Sequence, residues 1–486
     1  MKKLKLVLVV WFLALPAVLC YGQGYNPDNP VVDKILYYGQ MDNQAMDHLH
    51  YACNVLGGRL SGSDTYNHAC EWAADTFRSW GMKVELDFAG EYAVGFNRGP
   101  WYGKMITPDG EETLYFGTDS YTAGTMGIQL GGVVIGPATV EAFEENPDKY
   151  QGKWILVASS GRGRGGGENI NQLLEEAGAL GNIVSATPYI MFRSNGKRIK
   201  SWDDIPTYPI IKLKDTQYDA IKTKVENDEE VELEIHVRNH FFKGPVPFRS
   251  VIGIIEGTEF PDESIVIGGH FDSFDVATGA VDNGSGFTTA MEAARLIMKA
   301  GGGKPKRTII VGLWAAEEEG LVGSQAWIKH HPELIPKISI MSNRDGGTSI
   351  INGLSVTEAM YDDFKAITKP CIDLYGKYPF ELTKKTSPPR ARPTSAGGTD
   401  SSSFAMQGVP SLGWKSSSTH VYRRTWHTML DTYNEVEPEY QEVSAVMIAL
   451  VTWGVANLDH QLDRAGSFLE TEAVIEETQQ RGGRIR

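Results

Sequence analysis

The chain has 486 residues with a formal charge of −15, is 41% hydrophobic and 22% charged. That length leaves room for two or three domains, and the composition is that of a folded globular protein. The acidic balance argues against a nucleic-acid binder or a basic membrane-surface protein, both of which need excess cations.

The first residues read as an address. Lys2, Lys3 and Lys5 precede an apolar run from Leu6 to Cys20. A basic start and an apolar stretch this short predict a secretory leader over 1–22 and no transmembrane span. The expected destination is periplasmic, extracellular or cell-surface. Cys20 is a candidate lipoprotein cysteine, but Leu19 before it is bulkier than such signals favour, so cleavage after Gly22 is the expectation. Three cysteines follow, Cys53, Cys70 and Cys371, with no CxxC zinc pattern. Whether Cys53 and Cys70 pair is left open.

Helical spacing is expected over 29–58 and 64–81, the latter with Ala69, Trp72, Ala73 and Phe77 on one face and Gly81 as its stop. A strand is expected over 83–88. From about 118 the texture becomes Gly-rich β, with strands at 131–135, 153–159 and 232–237 and a helix at 170–177. After 248 strands and helices alternate: strand 264–269, helix 286–300, strand 308–314, helix 321–330, strand 337–342 and a late helix over 439–458. The pattern predicts an α/β fold, a mostly parallel sheet flanked by helices, interrupted by a smaller β-rich insert. The organisation is thus leader 1–22, core 23–117, insert 118–247, core 248–460 and polar tail 461–486.

In open parallel sheets ligands bind beyond the carboxyl ends of the strands. Here those ends carry His270-Phe271-Asp272, Glu317-Glu318-Glu319 and Asp345-Gly346-Gly347, with Asp282-Asn283-Gly284-Ser285-Gly286 between the first two and His427 further on. Each alone is an ordinary cap, turn or solvated helix start. Recurrence at successive ends of one sheet is not. Histidine nitrogen with carboxylate oxygen suits zinc, and a bridging carboxylate suits a pair of ions with a spare acid as general base.

These motifs, in order, resemble the co-catalytic zinc aminopeptidase and glutamate carboxypeptidase family. The resemblance rests on His270-Phe271-Asp272, Ala280-Val281-Asp282-Asn283, Ala316-Glu317-Glu318-Glu319-Gly320, Arg344-Asp345-Gly346-Gly347, Gly398-Thr399-Asp400 and His427-Thr428-Met429-Leu430-Asp431-Thr432, with an echo at Arg59-Leu60-Ser61-Gly62-Ser63. It implies two Zn2+ ions bridged by Asp282. His270 and Asp345 complete one site, and Glu318 and His427 the other. It further implies Glu317 as general base and acid, Asp272 as the group orienting His270, and a cis peptide after Asp282. The Glu317-Glu318-Glu319 triplet leaves the register open by one residue, with Gly320 to Ser324 favouring the first two. Ser401 stands where many relatives place a histidine, which leaves substrate contacts near Asp400 open. The insert resembles a protease-associated domain through Gly152 to Val157 and Ala177 to Val184.

The expected activity is a metallo-exopeptidase acting on peptides or dipeptides, an aminopeptidase or dipeptidase first. A carboxypeptidase for acidic C-termini, a glutaminyl cyclase and an inactive receptor on the same scaffold are the alternatives. Arg390 and Arg392 are read as solvated. Gly161 to Gly167 lacks the Lys-Ser/Thr ending of a phosphate loop, and His48 and His50 face different sides of a helix. Oligomeric state, a homodimer included, is left open.

Overall fold

A computed structural model describes residues 29–157, 167–372, 374 and 376–469. The leader expected over 1–22, most of the 161–167 loop and the tail from 470 lie outside these residues. Among the described residues one eleven-stranded mixed sheet organises the chain. Ile338–Asn343, Phe260–His270 and Arg307–Trp314 lie side by side and parallel. Glu232–Ile255 joins Arg307–Trp314 antiparallel, and Lys83–Thr107 pairs antiparallel with Glu232–Ile255 along most of its length. Beyond this pair the sheet continues through Gln129–Ile135, Trp154–Val157, Gly181–Ala186 and Ile210–Lys214, which are mutually parallel.

Side chains on a strand alternate between the two faces, and a sheet buried on both faces needs apolar residues at every position. Ile265, Ile267, Ile309, Val311 and Leu313 join one core with Phe287, Met291, Met447 and Leu450 from the helices Ser285–Gly301 and Pro438–Ala456. Ile252, Val266 and Ile310 join a second with Trp314, Trp327 and Phe404, the last two from the helices Val322–His330 and Ser401–Met406. Pro438–Ala456 is apolar almost all round because it is wrapped by the sheet and by other helices. No helix of the described residues is long and apolar enough to cross a membrane. A separate cluster, including Phe116, Trp154, Leu156, Ile183, Ile211 and Leu233, lies within 105–237.

Three expectations change in detail. The helix expected over 29–58 is interrupted: Pro30–Met41 ends where Asp42 turns to pair with Arg295 and Lys299, and a new helix starts at Ala45. The strand expected over 83–88 runs on to Thr107, and that expected over 232–237 runs on to Ile255. Glycines at 90, 95, 99 and 103 look like turns, but register shifts between Phe88 and Gly90, Tyr92 and Val94, and Arg98 and Trp101 absorb the irregularity within the ladder. Cys53, Cys70 and Cys371 are buried and free.

Phe404 is fully buried, its ring 5.6 Å from that of Trp314 and 5.9 Å from that of Trp327. Phe404→Ala is expected to cost about 3–5 kcal/mol through lost burial and the cavity left behind, read as a lowered urea midpoint.

Candidate metal centre

Parallel strands that share a direction bring their carboxyl ends to one rim. Phe260–His270 delivers His270 there, Arg307–Trp314 leads into Glu317 and Glu318, and Ile338–Asn343 leads into Asp345. Asp282 arrives just before the helix Ser285–Gly301, whose positive N-terminal end suits an acid. Gly286 lets this helix start close to the rim: a Cβ there would collide with the Asn283 side chain and the Arg344 carbonyl. The Asn283 amide instead donates to the Arg344 carbonyl at 2.8 Å, tying the loop to the third strand end. The Asp282–Asn283 peptide is cis.

Asp282 turns its two oxygens to two different histidines. Its Oδ1 is 3.1 Å from His270 Nε2, which is 3.7 Å from Asp345 Oδ1. Its Oδ2 is 3.4 Å from His427 Nε2, which is 2.9 Å from Glu318 Oε2. In each of the sets His270, Asp282, Asp345 and Asp282, Glu318, His427 one ligand atom per residue lies within 4.8 Å of the others. Asp282 Oδ2 and Glu318 Oε1 are buried yet accept no hydrogen bond. Buried carboxylate oxygens without partners are costly, and a cation beside them removes that cost. The donor set, two histidines and three carboxylates with one shared, therefore fits two divalent ions of zinc type.

Crowding of buried acids and imidazoles at the rim shifts their titration. Burial pushes the Glu317 carboxyl up to about 9, with His270 opposing and Asp400, Asp345 and Glu318 adding to it. Burial, then the Asp282 charge, pushes Glu318 up to about 8. Burial disfavours a charged His427 ring, but contacts with Asp282 and Glu318 outweigh it and raise the ring to about 9. Asp282 is likewise opposed by burial and held well below the usual carboxylate range by His270 and His427.

Asp272 orients three groups at once. Its Oδ1 accepts from the Glu317 N–H at 3.0 Å and its Oδ2 from the Glu318 N–H at 3.3 Å, while its backbone carbonyl, 3.1 Å away, meets His270 Nδ1, which lies 3.6 Å from Oδ1. The three glutamates differ in what they touch. Glu317 and Glu318 line the cleft; Glu319 interacts with Tyr92 and Ser194, and its carbonyl accepts from Lys197. Ala316, Leu321 and His427 have positive φ of 50°, 60° and 58°, conformations that cost about 1–3 kcal/mol each and collect at this rim.

Other supports carried weaker sequence signals. Asp431 accepts from the Val281 N–H at 2.6 Å and the Asp282 N–H at 3.1 Å. It lay inside a quoted motif, but nothing in the chain order gave it this task. Arg59, fully buried, donates to the carbonyls of Phe271, Thr278 and Gly279 and so shapes the loop between His270 and Asp282. From the 118–247 segment, the Phe192 N–H donates to the His427 carbonyl at 2.8 Å. Asp400 is buried with both oxygens unpartnered. The remaining wall of the cleft, of about 450 Å³, comes from Leu321, Gly397, Gly398, Thr399, Tyr422 and Trp426. Leu321, Gly398, Thr399 and Trp426 lie in or beside motifs visible in the sequence, whereas Gly397 and Tyr422 carry no such signal. Arg390 and Arg392 are exposed and are not among the described cleft residues. His48 packs toward Glu292 at 3.4 Å, and His50 against Tyr433, so they form no common site.

Residues 250–451 match the profile of Peptidase family M28. Carboxypeptidase Q of Mus musculus is 25% identical over 450 residues, spanning 91% of this chain and 92% of its own. The crystal structure of a Peptidase M28 precursor from Shewanella amazonensis superposes with a TM-score of 0.61 at 22% identity, covering 89% of this chain and 97% of that one. That of BSAP, a zinc aminopeptidase from Bacillus subtilis, gives 0.51 at 16% identity, covering 88% and 97%. The two structural likenesses establish a shared fold.

Asp272→Asn leaves a single oxygen where two backbone N–H groups now find acceptors. Zinc affinity is expected to fall about 10–100-fold, measured by competition with a chromophoric chelator.

Proposed function

We infer that this chain is a zinc exopeptidase of peptidase family M28, acting as an aminopeptidase or dipeptidase. The observation that carries the reading is the division of Asp282 between His270 and His427, with Glu317 in the same cleft outside both ligand sets. His270, Asp282 and Asp345 would hold one zinc, and Asp282, Glu318 and His427 the other. When bound, the ions supply Lewis acidity toward the scissile carbonyl and the attacking water.

The protein's own groups do the proton work. Glu317 takes a proton from the water and delivers it to the departing amine nitrogen. Burial that favours its protonated form suits delivery, and with the zinc ions bound the carboxyl would be drawn back down so that it also serves as base. Asp272 holds Glu317 and Glu318 through their backbone N–H groups and faces His270, so base and ligands keep one geometry. Asp431 does the same for Asp282.

Among the described residues lining the cleft there is no Lys or Arg, whereas Asp282, Glu317, Glu318 and Asp345 all face it. Asp282, Glu318 and Asp345 are committed to the metal ions, so Glu317 is the acid left in the cleft to face a substrate ammonium, and no described Lys or Arg is placed to hold an acidic C-terminus. This favours entry of the amino end of a peptide over capture of an acidic C-terminus. Tyr422, Trp426 and Leu321 offer apolar surface for the adjoining side chain. We place the enzyme outside the cytoplasm on the leader read over 1–22.

The test is amino-acid release by zinc-loaded protein from a free dipeptide, its N-acetylated form and its C-amidated form. Loss on N-acetylation alone is expected for an aminopeptidase, and loss on both for a dipeptidase; loss on C-amidation alone would overturn the reading in favour of a carboxypeptidase. Glu317→Gln is expected to lower kcat by at least about 10²-fold while zinc content stays unchanged. Full activity in that variant would remove Glu317 from the mechanism.

A further inference from the structure

The helix Val322–His330, which follows the glutamate pair, ends against the strand Lys83–Thr107. Residues two apart on a strand share a face, so Glu85 and Asp87 present their carboxylates together. His331 Nε2 lies 3.1 Å from Glu85 Oε1, and His330 Nδ1 lies 2.6 Å from Asp87 Oδ1. One ligand atom from each of Glu85, Asp87 and His331 falls within 4.8 Å of the others. None of these residues lines the catalytic cleft.

Two features go beyond a helix end meeting acids. The Asp87 side chain is only 4% exposed, and its Oδ2 is buried without a hydrogen-bond partner. The hydrogen-bond contact with His330 satisfies Oδ1 and leaves the second oxygen uncompensated, a cost that a cation would remove. Meanwhile His331 offers Nε2 to the cluster while its Nδ1 faces Glu333 Oε1 at 3.9 Å, and its ring packs on Trp327 at 4.9 Å. At that distance the carboxylate makes no hydrogen bond, so the packing on Trp327 is what fixes the direction of the ring.

We propose that Glu85, Asp87 and His331 form a separate zinc site, with His330 steadying Asp87. One imidazole and two carboxylates select a zinc-type cation over calcium or magnesium, which prefer oxygen alone. Three protein ligands leave one position for water, consistent with a Glu85 side chain that is 38% exposed. The ion would clip the end of the helix behind Glu317 and Glu318 to the edge of the sheet.

The experiment is a zinc titration of the chelator-stripped full chain, read by elemental analysis, alongside His331→Gln and Glu85→Gln. Both variants are expected to bind one zinc equivalent fewer than the unaltered chain and to show a smaller zinc-dependent rise in Tm. Their peptidase activity is expected to persist. Glu85→Gln changes a partly exposed side chain, so it reports on binding even where His331→Gln disturbs the fold. Running the same pair in an Asp282→Ala chain separates this site from the cleft, because the difference of one equivalent is expected to survive there. Equal zinc content in the unaltered chain and both variants would overturn the proposal.

Discussion

One buried carboxylate, Asp282, sits between two imidazoles, 3.1 Å from His270 on one side and 3.4 Å from His427 on the other. Much of the surrounding architecture serves to keep it there. An acid in that position must have its backbone fixed, and Asp431 does this through two N–H groups while Arg59 holds the preceding loop by its carbonyls. The neighbours must also keep their places, which Asp272 ensures for the glutamates and for His270.

The rim is held from two directions. The sheet below fixes the strand ends, since Ile267, Ile309 and Val311 are locked in a core closed by helices on that face. From above, the 118–247 segment touches both arms of the site, Phe192 at the His427 carbonyl and Lys197 at the Glu319 carbonyl. Positive φ at Ala316, Leu321 and His427 is tolerable because the backbone is pinned on both sides of it. Residues 108–231 connect two strands, Lys83–Thr107 and Glu232–Ile255, that pair with each other, and Phe192 and Lys197 belong to this connection.

What was legible in the sequence follows from how much each residue's role is local. The strands after 248 are uninterrupted apolar runs because helices cover both faces, and polar ligands at their ends stand out against that background. His270, Asp282, Glu317, Glu318, Asp345 and His427 were therefore visible together. The long strands Lys83–Thr107 and Glu232–Ile255 were hidden, because bulges accommodate glycines that otherwise signal turns. The break at Asp42 depends on Arg295 and Lys299, more than two hundred residues away. Which of the three glutamates face the cleft was undecidable in the sequence, because the contacts of Glu319 with Tyr92 and Ser194, and of its carbonyl with Lys197, come from distant segments. Tyr422 reaches the cleft from a loop whose path no periodicity encodes, and Gly398 and Thr399, though part of a visible motif, gave no sign that they would wall it.

The central claim is that Asp282 is shared by two zinc ions. Anomalous diffraction at the zinc edge, from crystals of the zinc-loaded protein, tests it most directly. The account predicts two peaks about 3.5–4 Å apart with the Asp282 carboxylate between them, His270 and Asp345 on one side and Glu318 and His427 on the other. A single peak in the cleft, or two peaks with Asp282 bound to only one, would contradict it.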